Sequence, residues 1–244
     1  MSLAGKGAIA IWNDITPEGR ANFYEWHGRQ HIPERVSIPG FCGGRRYIAV
    51  HGSPEYFTLY ETDGSDVLRG EDYAQRLNNP TDWTLASTSH FRNVARALSE
   101  VAYTAGSGMG GLIATWRCME PDLTSDQHRA LLEFLPQVET WEGVAGAHLL
   151  ISNMEASSVD NAERKRRGEP NTVPVWTLMV EGWCDTNTFD ALCSKVTSAL
   201  QDIMQGEASI IDHGVYLLQS ALTKAELQSH ASELPADTHV SEHA

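Results

Sequence analysis

The stretch that decides the predicted fold of this chain reads Tyr24-Glu25-Trp26-His27-Gly28-Arg29-Gln30-His31-Ile32-Pro33-Glu34-Arg35-Val36-Ser37-Ile38-Pro39-Gly40-Phe41. Thr16, Pro17 and Glu18 precede it and supply a capping hydroxyl, a proline at the first helical position and an acid in the first turn. Together they predict that a helix begins there. We expect this helix to end near Ile32, because Pro33 disfavours a helical conformation at the residue before it.

Ionisable and aromatic side chains share one face of this predicted helix. Spacings of three and four residues align Arg20, Tyr24, His27 and His31, which places the four side chains on a single stripe. This stripe is the candidate functional site.

The first half of the chain alternates strands and helices in the order strand, helix, strand, strand, helix, strand. The predicted strands cover residues 7–14, 45–50, 55–61 and 91–104, and the predicted helices cover residues 17–32 and 65–78. This order is typical of a ferredoxin-like unit, in which helices cover one face of an antiparallel sheet. The other face of the sheet must be buried against a partner.

The second half of the chain repeats these features. Residues 111–116 echo residues 7–12, residues 174–181 match residues 54–61, and Leu135-Pro136 follows Ile32-Pro33 at an offset of 103. A further helix is predicted over residues 189–204 and a last strand over residues 210–218. The repeat indicates an α+β protein of two fused ferredoxin-like (β-α-β-β-α-β) units whose antiparallel sheets pack face to face.

The repeat also predicts the domain boundaries. The first unit covers residues 1–105, a glycine-rich linker covers residues 106–111, and the second unit covers residues 112–224. A loop inserted at residues 153–171 has no counterpart in the first unit, and the polar residues 225–244 are expected to form a flexible tail.

The motif around the histidines resembles a known superfamily. The run Trp26-His27-x-x-x-His31-Ile32-Pro33-Glu34-Arg35, followed by Ile38-Pro39-Gly40-Phe41 and Arg45-Arg46-Tyr47, is similar to the dimeric α/β-barrel superfamily, with the EthD-like and stress-responsive bacterial proteins as the nearest branch. The resemblance implies a fused-repeat barrel with a small-molecule pocket. Relatives in the superfamily include cofactor-free monooxygenases, lactone isomerases, polyketide cyclases and haem enzymes, so the resemblance does not fix a reaction.

Composition excludes several classes of function. The chain has 244 residues, 41% of them apolar, and a formal net charge of -14, which disfavours nucleic acid and anionic membranes as partners. The basic run at residues 164–167 is flanked by acids and is expected to be a solvated loop. Four widely spaced cysteines, no signal peptide and no apolar run of membrane-spanning length predict a cytoplasmic protein.

His27 and His31 are the candidate catalytic residues. An imidazole that titrates near neutrality is suited to moving a proton on a small carbonyl or enol compound. In the second unit the equivalent positions are Ala130 and Phe134, which favours a functional role for the histidines over a purely structural one. A metal site with Glu34 is disfavoured, because Pro33 is expected to bend the chain and no third ligand is evident.

Seven further residues are candidates for substrate binding. Tyr24 and Trp26 would form walls, and Arg45 or Arg46 would anchor an anion through a two-pronged guanidinium. Alternation along the strand places Arg46 on the opposite face from Arg45. Trp83, His90 and Arg92 are predicted in the loop that enters the fourth strand, where they would line the mouth of a pocket.

These observations favour a cofactor-independent enzyme of the isomerase, lyase, cyclase or monooxygenase type that acts on a small oxygenated molecule. Two alternatives stay open: a haem-binding barrel with one of the histidines as axial ligand, and a non-catalytic protein that binds a small molecule or is associated with stress. The expected partner is a small-molecule ligand, and the protein is expected to be a monomer or a homodimer.

Overall fold

A computed structural model describes residues 3–119, 122–159, 171–205 and 211–233. Eight strands form a closed barrel in the order β1-β3-β2-β8-β5-β7-β6-β4, and each neighbouring pair is antiparallel. The strands are β1 (Gly7–Ile15), β2 (Phe41–His51), β3 (Tyr56–Thr62), β4 (Phe91–Gly106), β5 (Leu112–Cys118), β6 (Val144–Ser152), β7 (Trp176–Gly182) and β8 (Ile211–Thr223).

Two ferredoxin-like halves close this barrel. Strands β1 to β4 form the first half and strands β5 to β8 the second, and the order within each half is the same. The halves join along two seams, where β2 pairs with β8 and β4 pairs with β6. The predicted fold class is therefore confirmed.

Helices cover the outside of the barrel. They are α1 (Arg20–Trp26), α2 (Ile32–Ser37), α3 (Glu71–Asn78), α4 (Asp82–Thr88), α5 (Ser125–Val138), α6 (Met154–Ser158), α7 (Thr186–Ile203) and α8 (Lys224–Glu233). None of the helices in the described ranges is both long and apolar enough to cross a membrane.

The inside of the barrel is a packed aromatic and aliphatic core supplied by both halves. Trp12 stacks on Phe57 with ring centroids 4.9 Å apart, and Tyr47 stacks on the other side of Phe57 at 5.5 Å. Met179 and Tyr216 from the second half complete this cluster. Because side chains alternate along a strand, the residues between these point outward toward the helices.

This alternation corrects one part of the repeat seen in the sequence. Pairing residues 7–12 with residues 111–116 matches Trp12 to Trp116, yet Trp12 lies inside the barrel whereas Trp116 packs among the helices and donates to Thr197 of α7. A shift of one residue exchanges the two faces of a strand. The pairing of the strands makes Arg117, 105 residues later, the structural counterpart of Trp12, because Trp12 pairs with Phe57 in β3 and Arg117 pairs with Thr177, 120 residues after Phe57, in β7.

The predicted end of the first helix was wrong. The chain stays helical through Pro33 as far as Ser37, because residues His27–His31 form a wider π-helical turn between α1 and α2. In this turn the backbone N–H of Ile32 bonds to the carbonyl of His27, five residues back. A wider turn before a proline relieves the clash of the ring with the preceding turn.

The predicted flexible tail was also wrong for its described part. Residues Lys224–Glu233 form the helix α8. The Lys224 ammonium donates to the carbonyls of Val36, Ser37 and Ile38 at the end of α2, and this contact attaches the start of α8 to the first half. The end of the predicted tail, at 234–244, and most of the predicted insertion, at 160–170 with its basic run, lie outside the described residues.

Candidate functional site

His27 and His31 lie side by side between the first helical segment and the outer face of the sheet. Both side chains are buried, and their ring centroids are 5.3 Å apart. His27 packs against Phe23 at 5.0 Å, and His31 packs against Trp26 at 4.2 Å. The π-helical turn that contains both histidines therefore brings two imidazoles onto one buried surface.

Both imidazoles are held in the neutral form. Burial lowers the pKa of His27 well below its usual value, and the positive charges of Arg46 and Arg35 lower it further. Burial likewise lowers the pKa of His31, with Arg35 and His27 as further causes. The expectation that an imidazole here titrates near neutrality was wrong, because desolvation penalises the charged ring.

Each histidine keeps one ring nitrogen free. The Nδ1 atoms of His27 and His31 are buried and have no hydrogen-bond partner among the described residues. Buried polar atoms in native proteins normally have a partner, and exceptions occur at functional sites. The histidines therefore do not hold the helix to the following loop through these atoms.

Arg46 is the charged group nearest to His27 on this surface. Its side chain extends to the outer face of β2, as the alternation predicted, and its guanidinium lies 5.5 Å from the ring centre of Phe23 and 4.9 Å from that of Tyr24. Nε donates to Gln219, whereas Nη1 is buried without a partner. No carboxylate in the described part of the chain forms an ion pair with Arg46, so its charge is uncompensated.

Arg45 lies on the other side of the strand, inside the barrel. Its guanidinium binds Glu61 at 2.7 Å and Glu181 at 2.9 Å, and all three side chains are buried. Two carboxylates thus bind its Nη atoms, and its Nε is buried without a partner among the described residues. Of the two arginines, only Arg46 lies near the histidines with a donor to spare.

Tyr24 and Trp26 border the same surface. The Tyr24 and Tyr56 hydroxyls are 3.0 Å apart, and the Trp26 indole donates to Thr84. Burial raises the pKa of Tyr56, and so does its hydrogen bond with Tyr24, which keeps the Tyr56 hydroxyl protonated. Sequence reasoning missed Tyr56, although its place on an alternating strand opposite the helix was a usable signal.

Trp83, His90 and Arg92 lie apart from the histidines. Trp83 is on α4 instead of in a loop, because Thr81 caps this short helix and accepts from the Thr84 backbone. The Trp83 indole donates to Asn22, His90 meets the hydroxyl of Thr16, and Arg92 donates to the carbonyls of Ser89 and Phe91. The bonds of Trp83 and His90 join α4 and the turn before β4 to the start of the first helix, whereas those of Arg92 stay within the turn and the start of β4.

The equivalent surface of the second half is apolar. Phe134 takes the place of His31, and Leu149 takes the place of Arg46 at the same offset of 103. Phe134 and Leu149 belong to the cluster that α5 and α7 form on the sheet. Among the described residues, His31 and Arg46 therefore have apolar counterparts in the second half.

The histidines do not fit a haem or a metal ion. Ring contacts cover both imidazoles, and five cavities of 290 to 510 Å³ along the described residues have linings that include neither histidine. A haem ligand needs open space beyond the ring nitrogen that binds the iron. Among the residues described, no three His, Cys, Asp or Glu side chains are grouped so that they could hold a metal ion.

Comparison with known proteins supports the fold. No family model matches the chain, and no curated protein matches its sequence. Among solved structures, an anthrone oxidase-like protein superposes with a TM-score of 0.58 and 15% identity over 93% of this chain and 97% of its own. A candidate monooxygenase from Fusobacterium nucleatum gives a TM-score of 0.54 and 9% identity over 91% of this chain and 96% of its own.

A third similar structure is a candidate chlorite dismutase, with a TM-score of 0.51 and 10% identity over 94% of this chain and 99% of its own. Identities this low establish a shared fold and leave the activity open. The closer assignment to the EthD-like branch stays a prediction. The chain therefore shares its closed-barrel fold with these three proteins.

Proposed function

We propose that this protein is a cofactor-independent enzyme that removes a proton from a small oxygenated molecule and holds the oxyanion that results. The observation that carries the proposal is the buried guanidinium of Arg46, which lacks a carboxylate partner in the described ranges and shares the ring of Phe23 with the neutral imidazole of His27. A neutral imidazole accepts protons, and an uncompensated guanidinium attracts negative charge.

The environment of the histidines limits the substrates that they can deprotonate. A lowered pKa makes each imidazole a weak base, so the proton removed must be acidic, as it is next to a carbonyl group or on a phenol-like ring. The oxyanion that forms then favours the protonated histidine and binds Arg46. In the empty site the positive charge of Arg46 opposes protonation of the histidine. Once the substrate has become an oxyanion, its negative charge stabilises both the protonated histidine and Arg46.

Proton removal is the step that the candidate reaction types share. An isomerase or a lyase uses the enolate directly, a cyclase uses it as a carbon nucleophile, and a monooxygenase passes its electrons to O2. The similarity to an anthrone oxidase-like protein and to a candidate monooxygenase supports the last of these types for this chain. We therefore favour an activated aromatic or enolisable compound as the substrate.

Access to this surface would pass beside Gln219. Its exposed side chain accepts from Arg46, and its amide lies 3.5 Å from the hydroxyl of Tyr24. Displacement of Gln219 and Tyr24 would uncover the guanidinium of Arg46. Tyr56 and Trp26 would then form the walls of the opened pocket. The exposed side chain of Gln219 changes rotamer within nanoseconds, so its displacement does not limit the rate of entry.

The proposal is tested with anthrone and with an enolisable β-diketone as probes. The protein should accelerate the uptake of solvent deuterium at the activated carbon, or the consumption of O2, relative to buffer. His27→Ala or His31→Ala should lower the rate by about 10² to 10⁴-fold, and Arg46→Met by about 10² to 10³-fold. His51→Ala is the matched control, because His51 is exposed and contacts Asp190.

Three results would overturn the proposal. The wild-type protein could leave both probes at the buffer rate, the three site variants could match wild type, or His51→Ala could lose as much activity as the site variants. Binding of a probe without exchange or oxidation would indicate a binding protein instead of an enzyme.

A further inference from the structure

A second cleft lies on the outer face of the first half, at a distance from the histidines. Helices α3 and α6 border it, and β4 forms its floor, with a volume of about 320 Å³. Clefts of this size bind small molecules. The apolar part of the lining consists mainly of Leu68, Leu77, Leu98 and Ala156.

Arg96 is the buried polar group of this cleft. It lies on the outer face of β4, is only 8% exposed, and donates from Nη2 to the hydroxyl of Tyr73 at 2.7 Å. It forms no ion pair with any described residue. A guanidinium has five N–H donors, so the bond to Tyr73 leaves donors for a second partner.

The charges of the lining favour an anion. Arg69 and Arg96 contribute two positive charges and Glu155 one negative charge, which gives the cleft a formal charge of +1. The whole chain carries -14. A positive, largely apolar cleft on an acidic protein is complementary to a small monoanion with an apolar body.

The cleft depends on the insertion in the second half. Asn153 bonds through its backbone N–H to the carbonyl of Leu98, and the hydroxyl of Ser157 accepts from the Leu98 backbone. These contacts hold α6 against β4. The first half has no insertion of this kind, so the cleft is a feature of one face of the barrel.

Aromatic rings separate this cleft from the histidines. His31 lies 6.4 Å from Tyr60, Tyr60 lies 6.1 Å from Phe41, and Phe41 lies 5.6 Å from Tyr73, measured between ring centres. A molecule seated beside Tyr73 therefore does not reach the imidazoles.

We propose that this cleft is a second ligand site, which binds a small monocarboxylate with an aromatic or branched aliphatic body. The carboxylate pairs with the guanidinium of Arg96, and the apolar body packs on the leucines between α3 and α6. Arginine binds carboxylates through two parallel hydrogen bonds, which selects a flat anion over a neutral amide.

The test measures binding of 4-phenylbutyrate and of its neutral amide to the full chain by calorimetry. The acid should bind with a dissociation constant below about 1 mM, and the amide at least about tenfold more weakly. Arg96→Met should remove this preference. Ala156→Leu should fill the cleft and weaken both ligands, whereas Ala86→Leu, on the exposed side of α4, should change neither.

Each result decides the question. Equal binding of acid and amide, unchanged binding by Ala156→Leu protein, or no binding of the acid at about 1 mM would overturn the proposal. Ala156→Leu keeps the test valid if Arg96→Met protein does not fold. His27→Ala protein should bind the acid as wild type does, so this site and the proposed catalytic site can fail separately.

Discussion

His27 and His31 make the stability of the protein sensitive to acid. Their pKa values lie well below the value of about 6.5 that a histidine has in the unfolded chain. Below about pH 6.5 the two histidines bind protons in the unfolded chain but stay neutral in the folded protein. The stability that they contribute is therefore fully present above this pH and falls as the pH drops. Each histidine contributes a slope of up to about 1.4 kcal/mol per pH unit.

The variant His27→Ala/His31→Phe has the residues of the second half at these two positions. Its stability should lose this dependence on pH. Urea unfolding at pH 7 and at pH 5.5 should show that the stability of the wild-type protein falls by up to about 2.7 kcal/mol more per pH unit than that of the variant. The matched control is His51→Ala, whose imidazole is exposed. Parallel pH dependence in wild type and double variant would contradict the prediction.

Glu181 provides a second test at the level of single residues. Burial raises the pKa of its carboxyl group, but the contacts with His148 and Arg45 and the backbone N–H of Gly110 outweigh it and hold the pKa at about 2. A depressed pKa stabilises the folded state above the unfolded value of about 4.3, and this gain is lost as the pH falls toward 2.

Glu181→Gln should therefore cost about 3 kcal/mol at pH 7, and the penalty should disappear near pH 2. Denaturant unfolding across this range measures it. Glu142→Gln is the control, since Glu142 is exposed. A loss of stability that stays the same at low pH would mean that Glu181 stabilises the fold through packing and not through its charge.

The residues of the site were predictable only in part. The spacing of Tyr24, His27 and His31 showed that they share a helix face, because helical periodicity is local. The division of roles between Arg45 and Arg46 was not predictable, since Glu181 is 136 residues from Arg45 and reaches it only through the closed barrel. Contacts of this kind depend on tertiary register, which local sequence does not encode.

At the level of elements, the turn after α2 and the turn after α5 each require a glycine. Gly40 has a φ of +81° and Gly143 has a φ of +90°, and they are equivalent in the two halves. A Cβ atom at Gly40 would lie 2.6 Å from Val67, and one at Gly143 would lie 2.9 Å from Cys184. Residues with a side chain rarely adopt a positive φ, and a Cβ atom would also clash at both positions.

Gly40→Ala and Gly143→Ala should each lower the free energy of unfolding by about 1 to 3 kcal/mol. Gly28→Ala should raise it by roughly 0.5 to 1 kcal/mol, because Gly28 lies in the helical segment and a Cβ atom there meets nothing within 4 Å. Thermal or urea unfolding gives the three values. A stabilising effect at Gly40 or Gly143 would show that the turns tolerate a side chain.

Sequence patterns predicted the elements where the signal was local. The apolar run at residues 7–14 identified β1, the match between residues 54–61 and 174–181 identified β3 and β7, and the proline-containing helix ends repeated at the expected offset. The π-helical turn escaped prediction, because proline usually ends a helix and only packing on the sheet favours the wider turn that lets it continue. Helix α4 was missed although Thr81 offered a capping signal.

At the level of the whole molecule, closure of the barrel makes the two repeats depend on each other. The seams β2–β8 and β4–β6 leave no strand of the sheet without two neighbours, so one chain suffices to complete the barrel. The resemblance to the dimeric α/β-barrel superfamily implies that single-unit members would reach this state by dimerisation. Because the barrel closes within one chain, a homodimer of this protein would associate through its outer surfaces.

Trp12 tests whether the repeats unfold together. It is fully buried inside the barrel, stacks on Phe57 and donates to Thr115 of the second half. Trp12→Ala should cost about 3 to 5 kcal/mol, and because both halves build this core, backbone amides of β5 to β7 should lose as much protection from hydrogen exchange as those of β1 to β3. Leu131→Ala, on the buried face of α5 and outside the barrel, is the comparison for a purely local loss. Unchanged protection in β5 to β7 of Trp12→Ala protein would mean that the second half folds without the first.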